Sequence, residues 1–243
     1  YSSNLEVAML SKSGGGVGLD TDGIAQKGTE VDVNFYSNSK LDWIKALVDT
    51  SQKVSQNGVR RGFATPFMDI EDIEFYDLLK EVSKKNTDKN SVLIDNTIGI
   101  NIRDSLITKL KEKDKEAQLR WVALLNARKE TGNVYISFIG NMNKNQQPAF
   151  KKLGYEINTS NICQEHTQPK LHALPPTCVL AALNLNYWDL IESDPDIIKM
   201  GIYFLDIVCE EYIKNSDGVR GLEKARRAVI ETRNVGLGTL GLH

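Results

Sequence analysis

Disulfide scaffolding is the first thing this 243-residue chain lacks: three cysteines, Cys163, Cys178 and Cys209, are an odd and sparse set. In a chain of this length that points to a reducing, cytoplasmic setting and makes the individual thiols chemically interesting. Proline and glycine are modest, at six and eighteen residues, well under the roughly 25–30% of low-complexity chains. A surplus of one charge is missing too: 30 Lys+Arg against 32 Asp+Glu leave a net charge of −2, and no basic excess advertises a nucleic acid. No apolar run approaches the roughly 18 residues of a membrane span. The best stretch, residues 197–213, is broken by Lys199, Asp206, Glu210 and Glu211. The amino end lacks the basic and apolar regions of a secretory signal, and no internal repeat is evident. What is left is a folded chain with no membrane or nucleic-acid partner, long enough to bury a substantial core.

Hydrophobic period organises what is there. Leu41, Ile44, Leu47 and Val48 recur at helical spacing behind the capping candidates Ser37 and Ser39, predicting a helix that ends near Gly58. Residues 62–68 read as a strand, and Ile73, Tyr76, Leu79 and Val82 as a helix. Residues 97–102 suit a buried strand, residues 103–128 carry Leu106, Leu110, Leu119, Val122 and Leu125 on helical faces, and residues 134–139 read as a strand again. Strands separated by helices predict parallel pairing in an α/β fold. Residues 141–177, rich in Asn, Gln and Lys and punctuated by Pro, form an excursion, and long irregular segments of this kind are where function concentrates. A strand-like run at 178–185, helical patterns at 197–213 and 222–232, and a closing run from Val235 complete the chain.

Four segments carry candidate chemistry. Gly14, Gly15, Gly16 and Gly18 permit close backbone approach but do not fit the dinucleotide fingerprint, and the Gly23 to Gly28 gap lacks the lysine and hydroxyl of a P-loop, with Thr29 and Glu30 in their places. A tight turn before a strand is the plainer reading. The segment from Ser55 to Gly62 mixes Gln56, Asn57, Gly58, Arg60 and Arg61, a composition suited to reading a nucleotide base and phosphate, or simply to a solvated turn. Asn161, Cys163 and Glu165 alternate, and in extended backbone all three would project from one face toward a common ligand. There a carboxylate beside a thiol can take a proton from a substrate hydroxyl that the amide orients, and Cys178 could approach the same site. Two alternatives stand beside this: Cys163, His166, His172 and Cys178 as zinc ligands, or Cys163 and Cys178 as small buried hydrophobes. Cys209, inside an apolar helical pattern, is read as a core residue.

The order of these segments resembles the large, catalytic subunit of ribonucleotide reductase of class I or II: Gly14-Gly-Gly-Val-Gly, Ser55-Gln-Asn-Gly-Val-Arg-Arg-Gly, Thr131-Gly-Asn-Val-Tyr-Ile, Ser160-Asn-Ile-Cys-Gln-Glu and Cys178-Val-Leu-Ala-Ala-Leu-Asn-Leu, closing on Leu237-Gly-Thr-Leu-Gly-Leu-His. The resemblance implies part of a ten-stranded α/β barrel, a first half-barrel plus a finger loop, with residues 1–243 as one barrel domain incomplete at both ends. It implies radical-based reduction of ribonucleotides to 2′-deoxyribonucleotides. Cys163 would be the thiyl site, Glu165 the base for the 3′-hydroxyl, Asn161 a ribose hydrogen-bonder and Cys178 one of the reducing dithiol. The other reducing cysteine of the family lies upstream of the glycine-rich segment. Gly14, Gly15, Gly16 and Ser160 would line the substrate. Gln56, Asn57, Gly58, Arg60 and Arg61 would form the effector loop, with Lys27 on a neighbouring effector-side loop, residues 21–30. The helix that starts at Leu41 would border a homodimer interface. No metal and no cofactor is expected to be held by this segment. The radical source would be a small metallocofactor subunit or adenosylcobalamin, and the remaining segments of the large subunit would be needed for turnover. The runner-up reading is a non-catalytic nucleotide-binding or zinc-stapled module built on the same barrel.

Overall fold

A computed structural model describes residues 2–54, 61–83, 90–94, 96–169 and 174–242. Contacts divide the chain into two compact units, residues 1–169 and 170–243.

The first unit opens with α1 (Ser2–Lys12), which ends in a glycine stop: Gly14, in the left-handed region at φ 83°, donates to the Ser11 carbonyl (3.0 Å), and the Gly15 N–H donates to the Leu10 carbonyl (2.8 Å). This pair of bonds is a Schellman cap, so the first two glycines of the run terminate a helix that periodicity did not reveal. Then follow β1 (Gly16–Asp20), a short hairpin of β2 (Glu30–Asp32) and β3 (Phe35–Tyr36), and α2 (Lys40–Lys53). α2 begins where expected, with Ser39 Oγ accepting from the Leu41 N–H (3.0 Å), and ends at Lys53.

β4 (Phe63–Asp69), α3 (Phe75–Val82) and β5 (Ile98–Ile102) continue the predicted alternation. The helical stretch read from 103 to 128 is two helices, α4 (Asp104–Lys111) and α5 (Lys115–Thr131). Lys113 takes φ 60°, and Asp114 caps the new start by accepting from the Ala117 N–H (2.8 Å), so a local side-chain bond wins over continuous propensity. On α5 the buried residues are Ala117 and Leu124, whereas Leu119, Val122 and Leu125 are exposed. β6 (Val134–Phe138) completes a sheet in the order β1-β4-β5-β6 with every pair parallel.

One face of that sheet is apolar and covered by helices: Val17, Leu19, Ala64, Met68, Ile98, Ile100, Ile102, Val134 and Ile136 meet Ile44 and Val48 of α2, Leu78 of α3, Leu106 of α4 and Leu124 of α5. Each such side chain, when fully buried, contributes on the order of 1.5–3 kcal/mol. After β6 come α6 (Ile139–Asn145) and α7 (Pro148–Lys152), and then the irregular segment that leads to residue 169.

The second unit is a β-α-β arrangement. β7 (Val179–Asn184) and β8 (Val235–Leu240) pair in parallel, joined through α8 (Trp188–Ser193), α9 (Asp196–Asn215) and α10 (Glu223–Thr232). Leu205, Cys209, Leu222, Ala225, Ala228 and Val229 are buried here, and Arg233 ties the end of α10 to α9 through Asp206 (2.7 Å) and Glu210 (3.0 Å). Cys209 is a core thiol whose pKa burial raises. Among the described residues no helix is long and apolar enough to cross a membrane.

A buried ionic node holds the start of α2 in the first unit. Lys40, 1% exposed, pairs with Asp72 at 2.6 Å, and Asp72 also accepts from Gln26 Nε2 (2.9 Å) and the Glu74 N–H (2.9 Å). Glu74 in turn accepts from the Lys40 N–H (2.8 Å) and Ser39 Oγ (2.5 Å). Burial alone would raise the Asp72 pKa, but the bonds from Lys40, Glu74 and Gln26 outweigh it and hold the carboxyl below its usual value. A depressed folded-state pKa stabilises the fold above the unfolded value near 4 and loses that contribution as pH falls through the folded value. Asp72→Ala should therefore cost about 3–5 kcal/mol in urea denaturation at pH 7, because it strands a buried ammonium. The gap between variant and parent should shrink as the titration is repeated toward pH 3, and a gap that stays constant would contradict the assignment.

Candidate active site

Side chains alternate across a strand, so the helix-covered face of the sheet fixes what its other face carries. That second face is made of Gly16, Gly18 and Asp20 on β1, Thr65, Phe67 and Asp69 on β4, Gly99 and Asn101 on β5, and Tyr135 and Ser137 on β6, and the registers place Asp69 beside Asn101 and Asn101 beside Ser137. Apart from the rings of Phe67 and Tyr135 it is a surface of small and polar residues. Phe67 fills the space over Gly99, where an added Cβ would meet its Cδ1 at 2.0 Å.

The irregular segment lies on this face. Ile162 Cδ1 stands 2.3 Å from where a Gly16 Cβ would be, and the Ser160 carbonyl 2.4 Å from where a Gly18 Cβ would be. The two glycines are thus a packing surface for residues 160–162. An unpaired backbone must find other partners, and here amide side chains supply them. Asn101 Nδ2 donates to the Asn158 carbonyl (3.0 Å), and Asn143 both donates to the Ile157 carbonyl (2.9 Å) and accepts from the Ile157 N–H (2.8 Å). Gln146 donates to the Tyr155 carbonyl (3.0 Å). Asn143 and Gln146, part of the Asn, Gln-rich texture of residues 141–164, thus serve as loop anchors.

At its far end the segment turns. The Gln164 N–H donates to the Asn161 carbonyl (3.2 Å), Gln164 takes φ 66°, and Asn161 Oδ1 accepts from the His166 N–H (3.0 Å). Ser160, buried, donates through Oγ to the His166 carbonyl (3.3 Å) and lies 3.3 Å from Asn161 Oδ1. The expectation of extended backbone over Asn161, Cys163 and Glu165 is corrected: they sit on a turn, and the i, i+2, i+4 argument does not describe it, because the Asn161 carbonyl and side chain fold the chain back on itself. Cys163 and Glu165 are both exposed on this turn, while Asn161 is half-buried and spends its carbonyl oxygen on the backbone. His166 is half-buried. Burial lowers its imidazole pKa, outweighing the opposing influence of Glu165, and Nε2 has no partner among the described residues.

Other candidates fall elsewhere. Gly14 and Gly15 make the α1 cap, and Lys27 is exposed with its N–H 3.4 Å from Glu74 Oε2. Arg61 is exposed just before β4. Gln56, Asn57, Gly58, Arg60 and His172 lie outside the described residues. Cys178, half-buried, belongs to the second unit, where its Sγ lies 3.7 Å from the Cβ position of Gly236. No group of three or more His, Cys, Asp or Glu side chains is placed to hold a metal among the described residues. Sequence reasoning missed Asn101, Ser137 and Gln164. The first two were visible as polar residues interrupting apolar strands at the same alternation as Gly16 and Gly18.

At the carboxyl ends of β1, β4 and β5, Arg103 bridges Asp69 (2.7 Å) and Asp22 (2.5 Å). Burial, reinforced by Asp20 and Asp69, raises the Asp22 pKa above the ordinary range, and Arg103 offsets only part of this.

Comparisons with known proteins place this arrangement. The family model described as "Ribonucleotide reductase, barrel domain" matches residues 1–121 and 108–243. The ribonucleoside-diphosphate reductase large subunit of Invertebrate iridescent virus 3 is 32% identical over 135 residues, covering 56% of this chain and 21% of that protein. The putative ribonucleoside-diphosphate reductase large subunit of Frog virus 3 (isolate Goorha) is 26% identical over 261 residues, covering 97% of this chain and 43% of that protein. Among solved structures, the Actinobacillus ureae class Id ribonucleotide reductase alpha subunit superposes with a TM-score of 0.86 at 26% identity, over 99% of this chain and 43% of that one. The chain spans less than half the length of each of these relatives.

The glycine contact is open to test. Gly18→Ala should destabilise the fold by about 1–3 kcal/mol and speed hydrogen exchange at residues 160–162, since a methyl group there overlaps backbone. Gly23→Ala, which meets nothing within 4 Å, should do neither. Equal behaviour of the two variants would rule out the packing role.

Proposed function

The chain belongs to the ribonucleotide reductase barrel-domain family, and from that premise we propose that it carries the finger-loop side of a site that reduces ribonucleotides to 2′-deoxyribonucleotides. The observation that carries the reading is the exposed thiol of Cys163 at the tip of a loop seated on Gly16 and Gly18, two residues from both Asn161 and Glu165.

In this reading Cys163, once its thiol hydrogen is removed by an external radical source, takes the 3′ hydrogen atom of the ribose and becomes a thiol again. Glu165 accepts the 3′-hydroxyl proton, which favours departure of the 2′ oxygen as water from the adjacent carbon. Exposure leaves the Glu165 carboxylate accessible to a substrate hydroxyl. Asn161 has its carbonyl oxygen engaged by the His166 N–H, which leaves its amide nitrogen to donate to the ribose. Cys178 and a second thiol close to a disulfide and so supply two electrons and two protons, one proton leaving with the 2′ oxygen as water and one ending on C2′, while Glu165 returns its proton to the 3′ oxygen. Cys163 finally returns the hydrogen atom to C3′ and regenerates the radical.

The partners follow from the same reading: a ribonucleotide substrate, effector nucleotides bound through the segment from residue 55 to Arg61 and through Lys27, the remaining segments of the large subunit, and a radical-generating partner. α2, which leaves Trp43 half-exposed, suits the border of a homodimer. Both matched stretches carry the barrel-domain description, which supports one domain across residues 1–243.

In the full-length subunit assembled with its radical source, Cys163→Ser should abolish reduction while nucleotide affinity stays within about threefold, since only an interaction of the reacting state is removed. Glu165→Gln should lower kcat by about 10²–10⁴-fold, the usual worth of a positioned base. Turnover near the parent level in Cys163→Ser would refute the radical assignment.

A further inference from the structure

Between the two exposed residues of the turn stands one whose side chain goes the other way. Gln164 Nε2 donates to Ser137 Oγ, and Ser137 is a wholly buried residue near the carboxyl end of β6. Two other hydrogen bonds of the tip, from the Gln164 N–H to the Asn161 carbonyl and from the His166 N–H to Asn161 Oδ1, stay inside the loop. They give the turn its shape but do not locate it on the sheet. Ile162 against Gly16 adds a contact without direction, since dispersion and hydrophobic packing tolerate small slides. A hydrogen bond has a preferred distance and angle and therefore sets position.

Ser137 is paired in register with Asn101, whose amide holds the Asn158 carbonyl. Two adjacent strands thus hold the two ends of the finger: β5 at residue 158 and β6 at residue 164. Gln164 also carries φ 66°, a left-handed conformation that a non-glycine residue with a long side chain rarely adopts. The backbone is held in that region while the side chain reaches the strand.

We propose that Gln164 is a positioning residue for the Cys163 thiol: its amide, anchored on Ser137, fixes where the turn presents the thiol and the Glu165 carboxylate. The inference rests on the radical reading of Cys163 given above. Hydrogen-atom transfer needs the reacting atoms at about 3–3.5 Å, and a misplacement of about 1 Å can cost on the order of 10²-fold in rate. Substrate binding does not need that alignment. Loss of the anchor therefore falls on kcat.

The test uses the full-length holoenzyme. Gln164→Ala and Ser137→Ala should each lower kcat by about 10–100-fold and leave substrate Kd within about threefold. The double variant should fall no further than the lower single variant, because both remove one bond. Gln164→Met, which keeps length and volume without an amide, should behave as Gln164→Ala and serves if the alanine variant unfolds the loop. A kcat within twofold of the parent for both Gln164 variants, losses in kcat and Kd together, or multiplicative losses in the double variant would each overturn the proposal. Cys163→Ser in the same holoenzyme separates the two claims. If it is inactive while the Gln164 variants are near parental, only the anchor fails; if it turns over, the radical reading fails as well.

Discussion

The close seat of residues 160–162 on Gly16 and Gly18 is the contact on which the rest depends. With side chains absent at these two positions, a second backbone lies directly on β1. Any larger residue would push the segment off the sheet, and with it the turn that carries Asn161, Cys163 and Glu165. Glycine weakens a strand, since it has no side chain to pack and more freedom to lose, so its use at alternate positions of β1 must be offset by what lies on it. Here that is Ile162 and the Ser160 carbonyl.

The same economy governs the sheet. All five residues of β5 are buried, yet they divide cleanly: Ile98, Ile100 and Ile102 face the helices, while Gly99, covered by Phe67, and Asn101, bonded to the finger, lie on the other face. The apolar face supplies stability and the other face supplies places to attach a loop that has no ladder of its own. Asn101, Asn143, Gln146 and Gln164 each satisfy backbone or strand groups that would otherwise be left unpaired. A loop tied at so many points is more defined than its lack of regular structure suggests, which is the condition for placing a reactive group on it.

Much of this was legible in the sequence, and what was not has identifiable causes. The α2 cap at Ser39, strands β4 to β7 and the parallel pairing of the sheet follow from period and punctuation, since buried parallel strands read as continuous apolar runs. The break at Lys113 was hidden because both flanking segments are good helix formers and only the Asp114 cap separates them. Helix α1 was hidden because Leu5, Val7, Ala8 and Leu10 do not resolve into one apolar stripe, and its glycine stop resembled a ligand loop. The alternation of Asn161, Cys163 and Glu165 suggested an extended face where the chain in fact turns: the bonds that turn it come from Asn161 itself and from His166, and a side chain that folds its own backbone leaves no periodic trace.

Two thiols show what environment does with the same chemistry. Cys209 is packed in α9 against the second unit's core, where burial raises its pKa and it behaves as a small hydrophobe. Cys163 is exposed at a turn whose neighbours are polar. An exposed thiol on a loosely held loop would be a liability, open to oxidation and poorly aimed. Here the residues that restrain the loop, Ser160, Ile162 and Gln164, alternate with the residues proposed to carry the chemistry and bond or pack toward the strands or the loop's own backbone. Restraint and reactivity are thus interleaved along six consecutive residues, 160–165. In the proposed reading, a substitution at a residue with no chemistry of its own then disturbs the reaction as much as one at the thiol's immediate partners.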